Sequence, residues 1–373
     1  MERGNTSNTA LKERIFQIIG DSPHGAVSFA QFMELALYEP KFGYYSQAGR
    51  PIGRESGDFY TSVSVGKCYG LLLGYAIEAE WQKADRPADW LIAEQGAHDG
   101  QLALDILEGL RLRNSPFLEN LHYAVIEPHS GRQDFLKKRL HEHLEAEVVT
   151  TANDLKVSAG IFLCNELVDA FPVHRIQWEK GKWQELWVTR TNSANGFALS
   201  PRDIVDSDLL MEASRIDTDD FPEGYTTEIN LAMRDWLPSV RGLFEKGQGS
   251  WWLIDYGHRE EEYYAPSRRE GTLRCYRKHR ASDDALEGLG ETDITAHVNF
   301  SRLASFATEA GFTCDPLQDQ HDFLIRAAKP WLLAMEESES TQKAGNKKLL
   351  RQFQTLTHPG MMGRAFKVLT LNN

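Results

Sequence analysis

The stretch that most constrains the fold of this chain runs from Trp90 to Leu102 and reads WLIAEQGAHDGQL. It opens with a short apolar run, which is typical of a strand buried on both faces. The pattern breaks after Glu94 at Gly96 and Gly100, and apolar residues then recur at helical spacing. A strand, a glycine turn and a helix form one half of a nucleotide-binding α/β unit, so the stretch predicts a ligand site. The alternative is an ordinary strand-to-helix turn without a ligand.

Beyond this stretch, strand and helix patterns alternate, which is typical of a parallel sheet. Two further runs separated by Glu-Lys-Gly-Lys, at 173–178 and 183–189, predict an antiparallel hairpin. An alternating segment near the carboxyl terminus suits a final sheet strand, and one more apolar run predicts a strand at 323–327. The predicted strands of the main sheet are 91–94, 122–126, 148–150, 161–164, 251–255 and 366–371.

These patterns predict an α/β fold with two parts. We expect an N-terminal helical or lid segment over residues 1–84 and a main domain over 85–373. The hairpin and the Asp-, Ser- and Pro-rich stretch after it interrupt the alternation, so they predict an inserted cap at about 173–225 over the carboxyl ends of the strands.

Acidic residues follow two of the predicted strands. In open α/β sheets ligands bind outside the carboxyl ends of the strands, where an acid can accept hydrogen bonds from ribose hydroxyls. Glu127 has this position after the second strand, so we expect it to bind the ribose; the alternative is that it simply begins the loop beside Pro128. Asp154, after the third strand, lies where an acid facing an adenine ring is expected.

The segment after the fourth strand is the sharpest group of polar residues. Asn165 and Glu166 follow a buried run directly, and Asp169 comes three residues later. Asp255 and Tyr256 follow the next strand in the same way. Polar groups at strand ends are where such sheets carry their sites, so we expect function here; a polar loop is the alternative.

A glycine-rich loop over residues 49–58 lies between two tyrosines and the pair Thr61-Ser62, which precedes a predicted helix. Loops of this kind often close over a ligand, so Thr61 and Ser62 are candidate ligand contacts. A surface connection without a ligand is the alternative.

Composition excludes several classes of protein. The 373 residues carry a net charge of −13, whereas a protein that tracks nucleic-acid phosphates normally has a basic face. Four scattered cysteines and the absence of an H-x-x-x-H pattern argue against disulfides and a metal site. The sequence has no apolar run of membrane-spanning length and no leader pattern, so we expect a cytoplasmic protein without a membrane span.

The motifs together resemble the MidA family, bacterial and mitochondrial proteins related to an arginine methyltransferase that assists assembly of respiratory complex I. The matching segments occur in family order over residues 32–369: FM-x-x-ALY with GYY (32–45), GDFYTS (57–62), E-x-G-x-x-x-G-x-L (94–102), NE-x-x-DA-x-P (165–172), IDYGH (254–258), GTLR (271–274), DITAHV (293–298) and MG-x-x-FKVL (362–369). Family members commonly read Glu-x-Gly-Pro-Gly-x-Gly in the first turn, and here His98 replaces the middle glycine.

The resemblance implies a class I methyltransferase fold, a Rossmann-like seven-stranded sheet with an antiparallel last strand, and S-adenosyl-L-methionine as the cofactor. It also implies a protein arginine as methyl acceptor, on a complex I subunit. The predicted cofactor contacts are Glu94, Gly96, His98, Gly100, Glu127, Asp154, Asn165, Thr61 and Ser62.

Arginine chemistry suggests the catalytic residues. A guanidinium stays protonated in proteins, so carboxylates must localise its charge before a nitrogen can attack a methyl group. We predict that Glu166 and Asp169 hold the guanidinium, with Asp255 as a third candidate, and that Asn165 and Tyr256 position it. The alternatives are a non-catalytic assembly factor, a nicotinamide-dependent dehydrogenase, and a methyltransferase acting on a small molecule or lipid.

Overall fold

The structure is a computed structural model that describes residues 2–47, 61–142, 146–155, 157–192, 196–244, 248–277, 280–282, 284–337 and 344–373. The chain divides into two compact units, and we describe each by itself. Unit 1 comprises Met1–Arg50, Val168–Trp236 and His258–Arg302, and unit 2 comprises Pro51–Leu167, Leu237–Gly257 and Leu303–Asn373.

The helices of the described ranges are α1 (Glu2–Asp21), α2 (Phe29–Tyr38), α3 (Ser62–Val65), α4 (Cys68–Lys83), α5 (Gln101–Leu112), α6 (Ser130–His141), α7 (Ser207–Ala213), α8 (Ala232–Arg241), α9 (Glu260–Tyr263), α10 (Phe300–Glu309), α11 (Gln320–Glu337) and α12 (Ala344–Thr357). No helix in this part of the chain is both long and apolar enough to cross a membrane.

The strands of the described ranges are β1 (Ala26–Ser28), β2 (Trp90–Gln95), β3 (Leu121–Ile126), β4 (Ala146–Val149), β5 (Ala159–Asn165), β6 (His174–Glu179), β7 (Lys182–Arg190), β8 (Phe197–Asp203), β9 (Thr226–Ile229), β10 (Gln248–His258), β11 (Arg274–Arg277), β12 (Arg280–Ser282), β13 (Asp293–Thr295), β14 (Val298–Asn299), β15 (Thr313–Cys314), β16 (Gln318–Asp319) and β17 (Phe366–Asn372).

The large sheet of unit 2 has the strand order β15-β17-β10-β5-β2-β3-β4, and β16 also pairs with β17. The five strands from β10 to β4 run parallel, whereas β17 is antiparallel to β10. The chain moves outward from β2 to β3 and β4, then returns to β5 on the other side of β2. The order therefore reverses between β2 and β5, and the crevice at such a switch point is where α/β sheets bind ligands.

Two helices of unit 2 approach unusually closely and set the position of the turn after β2. A Cβ atom added at Gly70 of α4 would lie 2.4 Å from Cβ of Asp105 in α5, and one at Gly109 of α5 would lie 2.9 Å from Cα of Leu71. Only glycine allows this approach. The helices cover the core formed with Ile92, Leu163 and their apolar neighbours, so the first turn of α5 is held firmly at the sheet edge.

Unit 1 contains the antiparallel sheet β1-β7-β6-β9, with β8 paired to β7. The hairpin predicted from the sequence is β6 and β7, with Glu179 opposite Lys182. Apolar residues of α1 and α2, among them Leu11, Phe29 and Phe32, form its core. A smaller sheet of the order β12-β11-β13 lies in the same unit.

The mixed α/β fold and the antiparallel strand β17 are confirmed. The count of seven strands stays a prediction, because the sheet includes strands of only two residues. The division at residues 84 and 85 and the cap at 173–225 also stay predictions. The strand expected at 323–327 is wrong, because these residues lie within α11. A short apolar run suits a buried helix face as well as a buried strand, and periodicity alone does not separate the two.

Candidate active site

The turn after β2 contains three residues with positive φ, namely Gly96 at +81°, His98 at +49° and Gly100 at +79°. Left-handed backbone costs a non-glycine residue about 1–2 kcal/mol, so His98 occupies a conformation that favours glycine. Nδ1 of His98 lies 3.8 Å from Oδ1 of Asp99. The turn therefore keeps the shape of a glycine turn even though histidine stands in it.

Glu94 lies in the interior at the carboxyl end of β2, where it is 2% exposed. Its Oε2 accepts a hydrogen bond of 2.6 Å from the Tyr123 hydroxyl on the neighbouring strand β3. Burial raises the pKa of Glu94 to about 7, because desolvation penalises the charged carboxylate more than the tyrosine hydrogen bond favours it. Glu94 thus links β2 to β3 directly beneath the turn.

Glu127 follows β3 and has partners on both carboxylate oxygens. Oε1 accepts a hydrogen bond of 2.9 Å from the backbone amide of His129, and Oε2 accepts one of 3.0 Å from Nε of Arg132. Nη2 of Arg132 also donates to the backbone oxygen of His98, at 2.6 Å. One guanidinium therefore connects the turn after β2 to the acid after β3.

Glu166, the first residue after β5, has a φ of +52°. Its backbone amide donates to the Ile254 oxygen on β10, at 2.9 Å, which continues the sheet ladder by one residue. Its Oε1 accepts hydrogen bonds of 2.9 Å from the Ser62 amide and 3.1 Å from Nδ2 of Asn165. Strained backbone of this kind concentrates at functional sites, where surrounding contacts hold it in place.

Asn165 is held from the opposite side by Tyr69 of α4, whose hydroxyl donates to Oδ1 at 2.6 Å. Burial raises the pKa of Tyr69 well above its usual value of 10, and the charges of Glu166 and Asp255 raise it further. Tyr69 therefore stays protonated and donates at neutral pH. Because Asn165 accepts through Oδ1, its amide nitrogen is directed to Glu166.

Thr61 and Ser62 begin the short helix α3. Thr61 caps it, with Oγ1 accepting from the Ser64 amide at 2.9 Å, while the Ser62 hydroxyl donates to Oε1 of Gln320 at 3.2 Å. Ser62 is fully buried. The structure therefore brings Ser62 to Glu166 and leaves Thr61 in a capping position. The loop predicted at 49–58 lies outside the described residues.

Asp255 and Tyr256 lie at the carboxyl end of β10. Asp255 is 2% exposed, and its Oδ1 accepts a hydrogen bond of 2.9 Å from the Tyr256 amide. The half-buried Tyr256 ring meets Phe366 of β17 edge-on, with 5.7 Å between ring centroids. Because Ile254 pairs with Asn165 in register, both residues end at the same sheet edge as Glu166.

The two remaining predicted residues have partners of their own. Asp154 is exposed, and its Oδ2 accepts hydrogen bonds from the amide and hydroxyl of Thr151 at 2.8 and 3.1 Å. Asp169 belongs to unit 1, where it is 3% exposed and its backbone oxygen accepts from the Ala296 amide at 2.9 Å. Asp169 also helps to raise the pKa of the buried Tyr45, after the effects of burial and of Asp293.

Comparison of the sequence with known protein families shows to which family the chain belongs. Residues 72–317 match the model of a family described as putative S-adenosyl-L-methionine-dependent methyltransferase, and this range is more than half of the chain. The chain belongs to that family. It is an enzyme that uses S-adenosyl-L-methionine.

Curated relatives and solved structures agree with this assignment. The mitochondrial protein arginine methyltransferase NDUFAF7 homologue of Drosophila melanogaster is 26% identical to this methyltransferase, over 93% of this chain and 82% of that protein. Human NDUFAF7, also named a mitochondrial protein arginine methyltransferase, is 24% identical over 93% and 80%. A crystal structure of a Burkholderia thailandensis protein bound to S-adenosyl-homocysteine superposes with a TM-score of 0.86, at 26% identity, over 100% of this chain and 94% of that one.

These relatives correct one prediction. From the sequence we expected a cytoplasmic protein. The comparison contradicts this expectation, because the relatives are named as mitochondrial proteins. The expectation depended on the absence of a targeting pattern, and an absent pattern is a poor guide to the compartment of a protein.

The unit 2 residues fit the cofactor of this methyltransferase family. Gly96 is exposed and has a positive φ, so it places no side chain of its own between the turn backbone and a ligand. Each oxygen of Glu127 accepts one hydrogen bond from a described residue, and a carboxylate oxygen has a second lone pair, which suits a ribose diol. When bound, S-adenosyl-L-methionine supplies an electrophilic methyl group on a sulfonium sulfur. Within the described ranges, no group of three or more His, Cys, Asp and Glu side chains is arranged to hold a metal ion.

Several residues of this arrangement were not singled out from the sequence, namely Tyr69, Tyr123, Arg132 and Gln320. Tyr69, Tyr123 and Gln320 contact a predicted residue from a helix or strand that is distant in the chain; Tyr69 and Asn165, for example, are 96 positions apart. Arg132 differs, because it follows its partner Glu127 by five positions. Its position in the first turn of the helix that follows the candidate ribose-binding acid could have predicted this contact from the sequence.

Proposed function

We propose that this methyltransferase transfers the methyl group to an arginine side chain of a protein, and that Glu166 holds the guanidinium. The observation that carries the proposal is Glu166 itself, a residue at the switch point with left-handed backbone, whose carboxylate accepts hydrogen bonds from Ser62 and Asn165. The names of the relatives, protein arginine methyltransferases, support the same acceptor.

We infer that the cofactor lies over the carboxyl ends of β2, β3 and β5. Gly96, His98 and Gly100 would present backbone to it, and Glu127 would accept hydrogen bonds from the ribose hydroxyls. Glu94 acts from beneath by linking β2 to β3. Asn165, Thr61 and Ser62 would border the methionine portion, and Asp154 remains the proposed acid near the adenine.

Glu166 solves the central chemical problem of arginine methylation in this proposal. The guanidinium nitrogen lacks an available lone pair because its electrons are delocalised, and a nearby carboxylate concentrates the positive charge away from the attacking nitrogen. As the new N–C bond forms and the S–C bond breaks, the attacking nitrogen loses one proton, which Glu166 accepts and releases to water. Tyr256 and Asn165 would orient the acceptor, and Asp255 remains a candidate for a second carboxylate.

We further propose that the acceptor is a subunit of respiratory complex I. The resemblance to the MidA family supports this substrate, and a net charge of −13 suits binding of a basic, arginine-containing segment. An excess of acidic residues also serves solubility. The charge therefore supports binding of basic segments in general and does not single out one subunit.

The decisive experiment is methyl transfer into a proteome. The purified protein is incubated with mitochondrial extract and S-adenosyl-L-methionine carrying an isotope-labelled methyl group, and peptides are sequenced by mass spectrometry. We expect labelled arginine in one or a few proteins, including a complex I subunit. Label on another residue type, or only in small molecules or lipids, would contradict the arginine assignment. Label on arginine outside complex I would contradict only the proposed subunit.

A further inference from the structure

We propose that Arg132 is a positioning residue that couples the turn after β2 to the acid after β3, and so sets the affinity for the cofactor. The inference rests on the proposed cofactor site. Nε of Arg132 donates to Oε2 of Glu127 at 3.0 Å, and Nη2 donates to the His98 oxygen at 2.6 Å. A single rigid guanidinium thereby joins the two backbone turns that border the switch point.

Burial makes this connection strong. The side chain of Arg132 is 7% exposed and that of Glu127 is 13% exposed, so water competes little for either charge. The backbone amide of His129 holds the other carboxylate oxygen at 2.9 Å. Glu127 is therefore fixed in one orientation before any ligand arrives, and its ordering does not reduce the binding free energy.

The contact to His98 has a second consequence. His98 has left-handed backbone at φ +49°, where the resembling family commonly has glycine. A histidine prefers to leave this conformation, because Cβ meets the following carbonyl. The charge-assisted hydrogen bond from Arg132 opposes that change by holding the His98 oxygen in place. We infer that Arg132 allows a side chain at position 98 without loss of the turn.

Lysine is unable to replace arginine in this role. A lysine ammonium is a point charge on a flexible stem, whereas the planar guanidinium presents two N–H groups in fixed directions to two acceptors. Arg132→Lys therefore preserves the charge beside Glu127 but breaks the simultaneous contact with His98. The variant therefore distinguishes the coupling of Glu127 to His98 from the effect of a positive charge beside Glu127.

The test is calorimetric titration of S-adenosyl-homocysteine into the full-length protein, at a temperature well below the unfolding midpoint of every variant. We expect Arg132→Lys to weaken binding about tenfold, or about 1.4 kcal/mol. In the double variant Arg132→Lys/His98→Gly the loss should shrink to about threefold, because glycine adopts the left-handed turn without help. The matched control is Lys137→Met, an exposed residue of the same helix, which should bind within about twofold of the wild type.

The outcomes separate the two proposals. If Glu127→Gln leaves the affinity of the wild type unchanged, the proposed ribose contact is wrong, and this inference falls with it. If Glu127→Gln weakens binding but Arg132→Lys does not, the coupling through Arg132 alone is wrong. A loss in Arg132→Lys that His98→Gly does not reduce also overturns the coupling, because a purely structural role predicts no rescue. If Arg132→Lys does not unfold cooperatively, Arg132→Gln takes its place in the same series.

Discussion

The backbone amide of Ser62 donates a hydrogen bond of 2.9 Å to Oε1 of Glu166, a residue 104 positions later in the chain. The contact joins the start of α3 to the carboxyl end of β5. It fixes one carboxylate oxygen of Glu166, a residue whose backbone is left-handed at a φ of +52°. Glu166 is thus positioned by the fold and not by its local sequence.

The charge of Glu166 is the first property to test. Glu166→Gln retains an oxygen that accepts from Ser62 and Asn165, but it removes the negative charge that the guanidinium requires. We expect methyl transfer to fall by about 100-fold or more, the size of effect seen when an electrostatic contact to a developing charge is lost. Transfer is measured by mass spectrometry of a labelled acceptor peptide. Calorimetric binding of S-adenosyl-homocysteine should stay within about threefold of the wild type, and an equally active variant would contradict the proposed role.

The hydroxyl of Tyr69 holds Asn165 and, through it, Glu166. Tyr69→Phe leaves Oδ1 of Asn165 buried without this donor, and we expect a loss of about 1–3 kcal/mol in the free energy of unfolding. The rate of transfer should fall as well. Urea unfolding and transfer assays measure the two effects. Tyr75→Phe on the same helix is the control, because the ring over Arg113 is preserved; a similar loss in both variants would show that Tyr69 has no special role.

The left-handed backbone of His98 predicts that a glycine at this position does not destabilise the protein. His98→Gly removes a left-handed strain of about 1–2 kcal/mol and adds glycine flexibility that costs about 0.5–1 kcal/mol. The free energy of unfolding should therefore stay constant or rise by up to about 1.5 kcal/mol. His98→Val, with a β-branched side chain, should lower it by about 1–3 kcal/mol. Urea unfolding measures the stability of both variants. A His98→Val variant more stable than His98→Gly would contradict the left-handed conformation of the turn.

Glu94 predicts a dependence of stability on pH. Its pKa rises from the ordinary value of 4.5 to about 7 on folding, so between these values the folded protein holds a proton that the unfolded chain has released. This carboxyl therefore lowers the free energy of unfolding as the pH rises through the window, by up to about 3 kcal/mol, and the effect levels off above pH 7.

Glu94→Gln resembles the protonated carboxyl and does not ionise. The variant should match the wild type near pH 4.5 and exceed its stability at pH 8 by up to about 3 kcal/mol. Urea unfolding over this range measures the difference. The exposed Glu119→Gln is the control and should change little at either pH. A constant difference between Glu94→Gln and wild type at all pH values would show that Glu94 does not titrate in this window.

Local patterns predicted the parallel strands well, because the apolar runs of β2, β3 and β5 are buried on both faces and end in polar residues. They failed at 323–327, where the same kind of run belongs to α11. An apolar run is buried by whatever packs against it in the fold. Over five residues, a buried strand and a buried helix segment have the same apolar sequence pattern, so the pattern does not distinguish them.

The sequence by itself determined the strand, glycine turn and helix at Trp90–Leu102, the acids at the strand ends and, through the motifs, the family. Tertiary structure decided which groups hold the polar residues at the strand ends, since the Ser62 amide reaches Glu166 and the Tyr69 hydroxyl reaches Asn165 across long separations. It also decided that His98 keeps a glycine conformation. The physical reason is that periodicity and turn preference act between neighbours in the chain, whereas the orientation of a buried carboxylate is set by donors that only folding brings near.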